Sequence, residues 1–250
     1  MENHIDVIIP TYMNDNLTIR CLQSVIKYTK ITYKIIWIDD GSSIESYNKV
    51  FEFLKNSQIE FQPHRFSENK GPATAINQGL KMAQSKYIAL LNNDVVVTQG
   101  WLGKLIMALE SSGTIGLVGT VADHTSSVCN YEKVLGPIKI EGKPEDYFNN
   151  HPFEIRIVGT NISYHCVAIK KEVIEKIGYL DDRFYAGGED DDYNDRIRLA
   201  RYHVAVCINC FVFHDHHATL NLIPNIQERR RQNVALLKRK RAERARQTKT

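Results

Sequence analysis

Lys34-Ile35-Ile36-Trp37-Ile38-Asp39-Asp40-Gly41-Ser42 opens as an apolar run and ends in two carboxylates and a turn. Such a run reads as a short buried strand whose polar residues begin where the strand stops. Upstream lies a matching run, Ile5 to Pro10, ended by a proline, and between the two Leu17, Cys21, Leu22, Val25 and Tyr28 share one helical face. Strand, helix, strand is the beginning of a parallel sheet. The rhythm continues with a helix capped by Ser42 or Ser43 and running through Leu54, a strand at Ile59 to Gln62, a helix at Ala73 to Ala83 and a strand at Tyr87 to Leu91. A helix at Trp101 to Leu109 and a strand at Ile115 to Val121 follow. Open sheets of this kind bind ligands in a crevice at the carboxyl ends of their strands. Thr11, Asp39, Asp40 and Asn92 to Asp94 all fall at such ends.

From Asp123 to about Ile155 the pattern weakens, and Gly136-Pro137, Lys143-Pro144 and His151-Pro152 favour turns and extended chain, so loops or an acceptor-side flap are expected there. Order returns with a strand at Ser163 to Ile169, a helix at Lys171 to Ile177, a helix from about Asp190 to Ala200 and a strand from His203 to Phe213. No internal repeat is present.

The chain has 250 residues, 43% hydrophobic and 24% charged, enough for one large α/β core. No stretch reaches the roughly 18 apolar residues of a membrane span, and Met1-Glu2-Asn3-His4 lacks the character of a signal peptide, so a cytoplasmic body is expected. Five scattered cysteines point to reduced thiols rather than a disulfide framework. The net charge of +3 hides an asymmetry, because the stretch 224–250 carries ten Lys/Arg against two Glu and leaves the rest of the chain negative. Within it Gln227 to Lys249 is expected to be helical, with Val234, Leu236 and Leu237 as a small apolar cluster. It reads either as a solvated basic end or as a surface for anionic lipid on the inner face of a membrane; nucleic acid is a third, less favoured partner.

Two acidic constellations carry the chemistry. Asn92-Asn93-Asp94 follows a buried strand, and Glu189-Asp190-Asp191-Asp192 follows the flexible Gly187-Gly188. Four adjacent carboxylates repel one another and raise some of their pKa values unless a metal, an arginine or substrate hydroxyls compensate. Negative charge at a helix N-terminus explains one or two of them better than four. Asp192 and Arg196 have the i, i+4 spacing of a structural ion pair. A carboxylate at Asp39 or Asp40 suits a base imide or a ribose hydroxyl, although Asp-Gly-Ser is also a common turn.

The segments Ile8-Ile9-Pro10-Thr11-Tyr12, Ile38-Asp39-Asp40-Gly41-Ser42, Asn69-Lys70-Gly71, Leu90-Leu91-Asn92-Asn93-Asp94, Ile177 to Phe184 and Glu189 to Asp192 resemble, in order and spacing, family 2 glycosyltransferases of the GT-A fold, over about residues 5 to 220. The resemblance implies a single α/β GT-A domain with a mostly parallel central sheet. Residues 1–122 would form its nucleotide-sugar half, 123–223 its acceptor and catalytic half, and 224–250 a basic tail. It implies an inverting transferase that moves a sugar from a nucleotide-diphosphate donor to a glycan or glycolipid acceptor with Mn2+ or Mg2+. Pro10, Thr11, Tyr12, Asp39, Asp40, Asn69 and Gly71 would bind the nucleotide sugar. Asn92-Asn93-Asp94 stands in place of the family's Asp-X-Asp metal motif with its first Asp replaced, so that Asp94 is the metal ligand and Asn92 and Asn93 face the donor. His214, with His216 as the alternative, would be a further ligand. Asp190 matches the general base, with Glu189 or Asp191 as alternatives.

Three other readings remain open. A zinc site using Cys207 and Cys210 is disfavoured because strand alternation from Val204 to Phe213 would point the two thiols to opposite faces. A nucleotidyltransferase would need a Gly-rich basic loop that Pro10 to Asp15 lacks. A non-catalytic glycan- or nucleotide-binding module is kept in view by the Asn at position 92.

Overall fold

In the computed structural model, which describes residues 5–125, 127–136, 139–185, 187–215 and 225–247, the alternation read from the first half becomes a three-layer arrangement. The elements there are β1 (Ile5–Thr11), α1 (Asp15–Tyr28), β2 (Tyr33–Asp39), α2 (Ile44–Asn56), β3 (Phe61–Arg65), α3 (Pro72–Met82), β4 (Tyr87–Leu91), β5 (Val95–Val97), α4 (Trp101–Glu110) and β6 (Ile115–Ala122). Ser43 caps α2 by accepting the Ser46 N–H at 3.2 Å, which removes one of the unpaired amides of the first turn. The second half contributes α5 (Tyr131–Leu135), α6 (Pro144–Asn150), β7 (Ile155–Ile157), β8 (Cys166–Lys170), α7 (Lys171–Ile177), α8 (Glu189–Leu199), β9 (His203–His214) and α9 (Ile226–Gln247).

One sheet orders the strands β3-β2-β1-β4-β8-β6-β9-β5, with β7 paired to β9. β1 pairs in parallel with β2 and β4, β2 with β3, and β6 with β9; β8, β5 and β7 add antiparallel joints. Period-two alternation then sorts side chains to two cores. Val7, Ile9, Ile35 and Trp37 face α1, α2 and α4, while Ile8, Ile36 and Ile38 face α3 and, farther along the sheet, the layer of α7 and α8.

Two expectations are corrected here. The stretch from Asp123 to Ile155 is not all loop: α5 and α6 form within it, and Pro144 starts α6 at a first-turn position, where the missing N–H costs nothing. Phe148 of α6 stacks on Phe211 of β9 at 5.4 Å. Cys207 and Cys210 do not face opposite ways. The β6–β9 register shifts between Thr120/Cys207 and Val121/Phe211, and this irregularity puts both thiols in the same core layer. Their sulfurs lie 3.8 Å from the Lys104 carbonyl and 3.5 Å from the Trp101 carbonyl.

The basic C-terminal segment is helical as expected, and it is spent largely on the protein itself. Asp192 is fully buried and meets Arg196 at 3.0 Å, Lys240 at 3.0 Å and Arg244. Asp195 meets Arg241 at 2.7 Å, and Asp181 meets Lys240 and Arg183. A buried carboxylate is tolerable only when cations surround it, and α9 supplies two of the three around Asp192. Among the described residues no helix is long and apolar enough to cross a membrane.

Asp192→Asn keeps the shape and removes the charge, leaving cations facing one another. We expect it to lower the unfolding free energy by about 3 kcal/mol in urea titrations and to loosen α9 first. Hydrogen bonds from Arg183, with Lys240 behind them, hold the Asp181 carboxyl well below the usual carboxylate range against the opposing effect of its burial. Its stabilisation is complete above the unfolded value of about 3.9 and is lost as pH falls below it. Melting curves should show acid weakening that Asp181→Asn reduces.

Candidate functional site

At the carboxyl end of β2 the chain makes a tight turn at Gly41, whose φ is +77°. A Cβ there would lie 2.3 Å from the Glu68 carbonyl carbon, so glycine lets the strand-to-helix loop before α3 close against the turn. That closure delivers the Lys70 and Gly71 amides to the two oxygens of Asp40 at 2.7 and 2.9 Å. Asp39 is turned away, accepting from Ser42 N–H at 3.3 Å and Arg65 Nε at 3.2 Å, where it braces the start of α2. Burial raises the Asp40 pKa to about 6 against the pull of the two amides, with the neighbouring Asp39 adding to the rise.

The next strand end carries the Asn pair. Asn93 is buried and donates from Nδ2 to Thr18 Oγ1 at 3.0 Å, tying the loop to α1. Asn92 N–H donates to the His165 carbonyl at 2.9 Å, extending the β4–β8 pairing by one step. Antiparallel pairing of Val95 with His214 then sets Asp94 beside the last residue of β9, and His214 Nε2 lies 3.3 Å from Asp94 Oδ1. His214 Nδ1 is 2.8 Å from the His124 carbonyl, which can only accept, so Nδ1 carries hydrogen and Nε2 is aimed at Asp94. Burial opposes a charged His214, but the Asp94 bond and charge, the His124 carbonyl and Asp123 outweigh it and raise its pKa. A carboxylate oxygen and an imidazole nitrogen converging on one point suit a divalent cation such as Mn2+ or Mg2+. Among the described residues no cluster of three or more His, Cys, Asp or Glu surrounds that point.

α8 begins directly after Gly187 and Gly188, both at positive φ. Asp190 Oδ1 accepts the Asp191 N–H at 2.8 Å, Glu189 Oε2 accepts the Gly187 N–H at 2.7 Å, and Asp191 Oδ1 accepts Asn161 Nδ2 at 2.5 Å. Burial raises the Asp190 pKa well above the carboxylate range, and the charges of Glu189 and Asp191 add to it; burial raises Glu189 as well. Asp192 points into the protein and is the ion-pair residue that the i, i+4 spacing implied.

These walls enclose a cavity of about 510 Å³, within the usual range for a small-molecule site. Pro10, Thr11, Tyr12, Asp40, Asn69, Asn92, Asn93, Asp94, His214, Glu189, Asp190 and Asp191 all line it. Asp39 and Gly71 stand behind the wall, and His216 lies outside the described residues. Four lining residues from α9, Arg230, Asn233, Val234 and Leu237, were not anticipated. Nor were Thr125, Ser163, Tyr164 and His165, which bring hydroxyls and an imidazole stacked 5.2 Å from His214. Val234 and Leu237 had been visible as an apolar pair, but what they cover is a tertiary fact.

The sequence matches the profile of glycosyl transferase family 2 over residues 6–178. The chain belongs to that family and has its GT-A fold. It is 37% identical over 153 residues to an uncharacterized glycosyltransferase of Rickettsia felis, covering 61% of this chain and 23% of that protein. It is 24% identical over 221 residues to the chondroitin synthase of Pasteurella multocida, covering 77% of this chain and 23% of the synthase. The chain thus spans about a quarter of the length of both relatives. Among solved structures, the mannosyltransferase PcManGT from Pyrobaculum calidifontis, in complex with GDP-Man and Mn2+, superposes with a TM-score of 0.68 at 17% identity, covering 92% of this chain and 61% of that one.

Gly41→Ala forces a side chain into backbone at a left-handed φ. A destabilisation of about 2 kcal/mol is expected, roughly a 4–8 °C drop in melting temperature, together with loss of the Asp40 contacts to the 70–71 amides.

Proposed function

We propose that the protein transfers a glycosyl group from a nucleoside-diphosphate donor to an acceptor hydroxyl, with inversion at the anomeric carbon, in assembly of a polysaccharide or glycoconjugate. The observation that carries this reading is one cavity lined by both the Asp94–His214 pair and the carboxylates of Glu189 to Asp191. Membership of the family, the likeness to a chondroitin synthase and the GDP-Man and Mn2+ of PcManGT support it.

Pro10, Thr11 and Tyr12 would bound the base, with Asp40 accepting from an imide or ribose group and Asn69 beside it. Asn92 would face the ribose or phosphate, while Asn93, bonded to Thr18, would keep the loop in place. Asp94 and His214 would hold Mn2+ or Mg2+ together with the donor's phosphates. A divalent cation bound there supplies positive charge to the departing diphosphate. Arg230, which also lines the cavity, would add positive charge there.

Asp190 would take the proton of the attacking acceptor hydroxyl as the hydroxyl oxygen forms its bond to the anomeric carbon and the bond to the nucleoside diphosphate breaks. A carboxylate of raised pKa is the stronger base once ionised. Glu189 and Asp191, whose charges add to the raised pKa of Asp190, would take the supporting roles. Outward-facing Arg231, Lys238, Arg239 and Arg246 on α9 are the residues through which an anionic membrane surface would be met, placing the enzyme peripherally on a cytoplasmic leaflet.

Screening sugar nucleotides with Mn2+ by thermal shift and nucleoside-diphosphate release tests the reading; the absence of a shift and of release with any donor would reject it. Asp190→Asn should lower kcat by roughly 10²- to 10⁴-fold while nucleotide binding changes little. Equal loss of both would assign Asp190 to the donor instead. Because protonation gives Asp40 a donor hydrogen and weakens it as an acceptor, and its pKa is raised to about 6, nucleotide affinity should fall as pH drops through that value, and Asp40→Asn should flatten the profile.

A further inference from the structure

Asn233 is 6% exposed in the middle of a helix whose adjacent residues, Gln232 and Val234, are exposed. Its Nδ2 donates to the Tyr185 carbonyl at 2.9 Å, and its Oδ1 accepts the Tyr185 N–H at 3.4 Å. One side-chain amide therefore satisfies both polar groups of one residue's backbone, as a partner strand would in a sheet. Arg229, one turn earlier, places its guanidinium 3.8 Å from the centre of the Tyr185 ring.

Tyr185 in turn reaches across the cleft. Its hydroxyl bonds Asn69 Oδ1, and its ring occupies the space where a Cβ on Gly71 would lie, 2.7 Å away. Past Tyr185 come Gly187 and Gly188, with φ of +121° and +92°, and then Glu189 and Asp190. Glycines lose the most conformational freedom on ordering, so two of them make a weak approach to a pair of carboxylates that must be held in place. The position of Gly188 is bounded by Phe184 at 3.1 Å and Asn233 at 3.8 Å from where its Cβ would be. α9 thus meets the segment at the Tyr185 backbone and beside Gly188.

We propose that Asn233 is a positioning residue of the site: by bonding both sides of the Tyr185 backbone it sets the path of Gly187 to Asp190, and so makes α9 a working part of the transferase. Leucine at 233 would leave two backbone groups unsatisfied, and aspartate would have no hydrogen for the Tyr185 carbonyl. Displacement of a catalytic group by about 1 Å costs on the order of 10²-fold in rate, which is why the restraint matters. The catalytic consequence depends on the proposed role of Glu189 to Asp191, whereas the restraint itself depends on geometry alone.

The test uses the full chain with Asn233→Ala and Asn233→Asp, and Gln232→Ala on the exposed face as control. Hydrogen–deuterium exchange at Tyr185 and at 187–190 should rise tenfold or more in both variants, with β1 and β4 unchanged. Binding of UDP or GDP with Mn2+ should stay within about twofold, while kcat on the donor selected by the sugar-nucleotide panel falls at least tenfold at little-changed KM. Unchanged exchange in Asn233→Ala overturns the proposal whatever the activity, and so does raised exchange with unaltered kcat. If the wild-type chain turns over no sugar nucleotide, the transferase reading fails while the exchange result still decides the restraint. Should Asn233→Ala melt far below the wild type, Asn233→Asp, which keeps an acceptor for the Tyr185 N–H and removes only the donor to its carbonyl, carries the same exchange comparison.

Discussion

Parallel pairing of β1 with β2 on one side and β4 on the other is the constraint from which the site follows. Strands that run the same way all end at the same edge, and the strand order reverses at β1, where the chain passes from β3 on one side to β4 on the other, opening a crevice at that edge. Thr11 sits level with Asp39, and Ile8 level with Leu90, so the loops carrying Asp40 and Asn92 to Asp94 have nowhere to go but the same mouth. A shift of one residue in either ladder would exchange Val7 and Ile8 between the two cores and spoil the packing of both.

The second half of the molecule converts that mouth into a chamber by antiparallel joints. β8 slots beside β4, and β9 returns along β6 to meet β5, so the chain end at His214 arrives beside Asp94. Charge then decides where the remaining helices go. Asp181, Asp192 and Asp195 are acids that the fold draws inward or half inward, and α9 docks because its Lys240, Arg241 and Arg244 neutralise them. The negative balance of the body and the positive balance of the tail are thus two halves of one interaction.

The acids facing the cavity are treated differently from the acids behind it. Asp192, surrounded by cations, is structural; Asp190, recessed with Glu189 and Asp191 for neighbours, has its proton affinity raised by burial and by like charge. Residues two apart in one helical turn diverge in this way because a helix turns them about 200° apart, one toward the cavity, the other toward protein.

Local pattern was enough to read most of the strands and helices, because burial on two faces and the helical repeat are written in neighbouring residues. The order and spacing of the short segments around Asp40, Asn92 to Asp94 and Glu189 to Asp192 likewise carried the family and the candidate site. Tertiary structure alone decided the rest. The faces taken by Cys207 and Cys210 depended on a bulge in a ladder with β6; the meeting of His214 and Asp94 depended on antiparallel pairing across more than a hundred residues; and the task of α9 depended on which buried acids awaited it. Each of these is a contact between segments far apart in the chain, where the deciding free energy belongs to the pair and neither member shows it by itself.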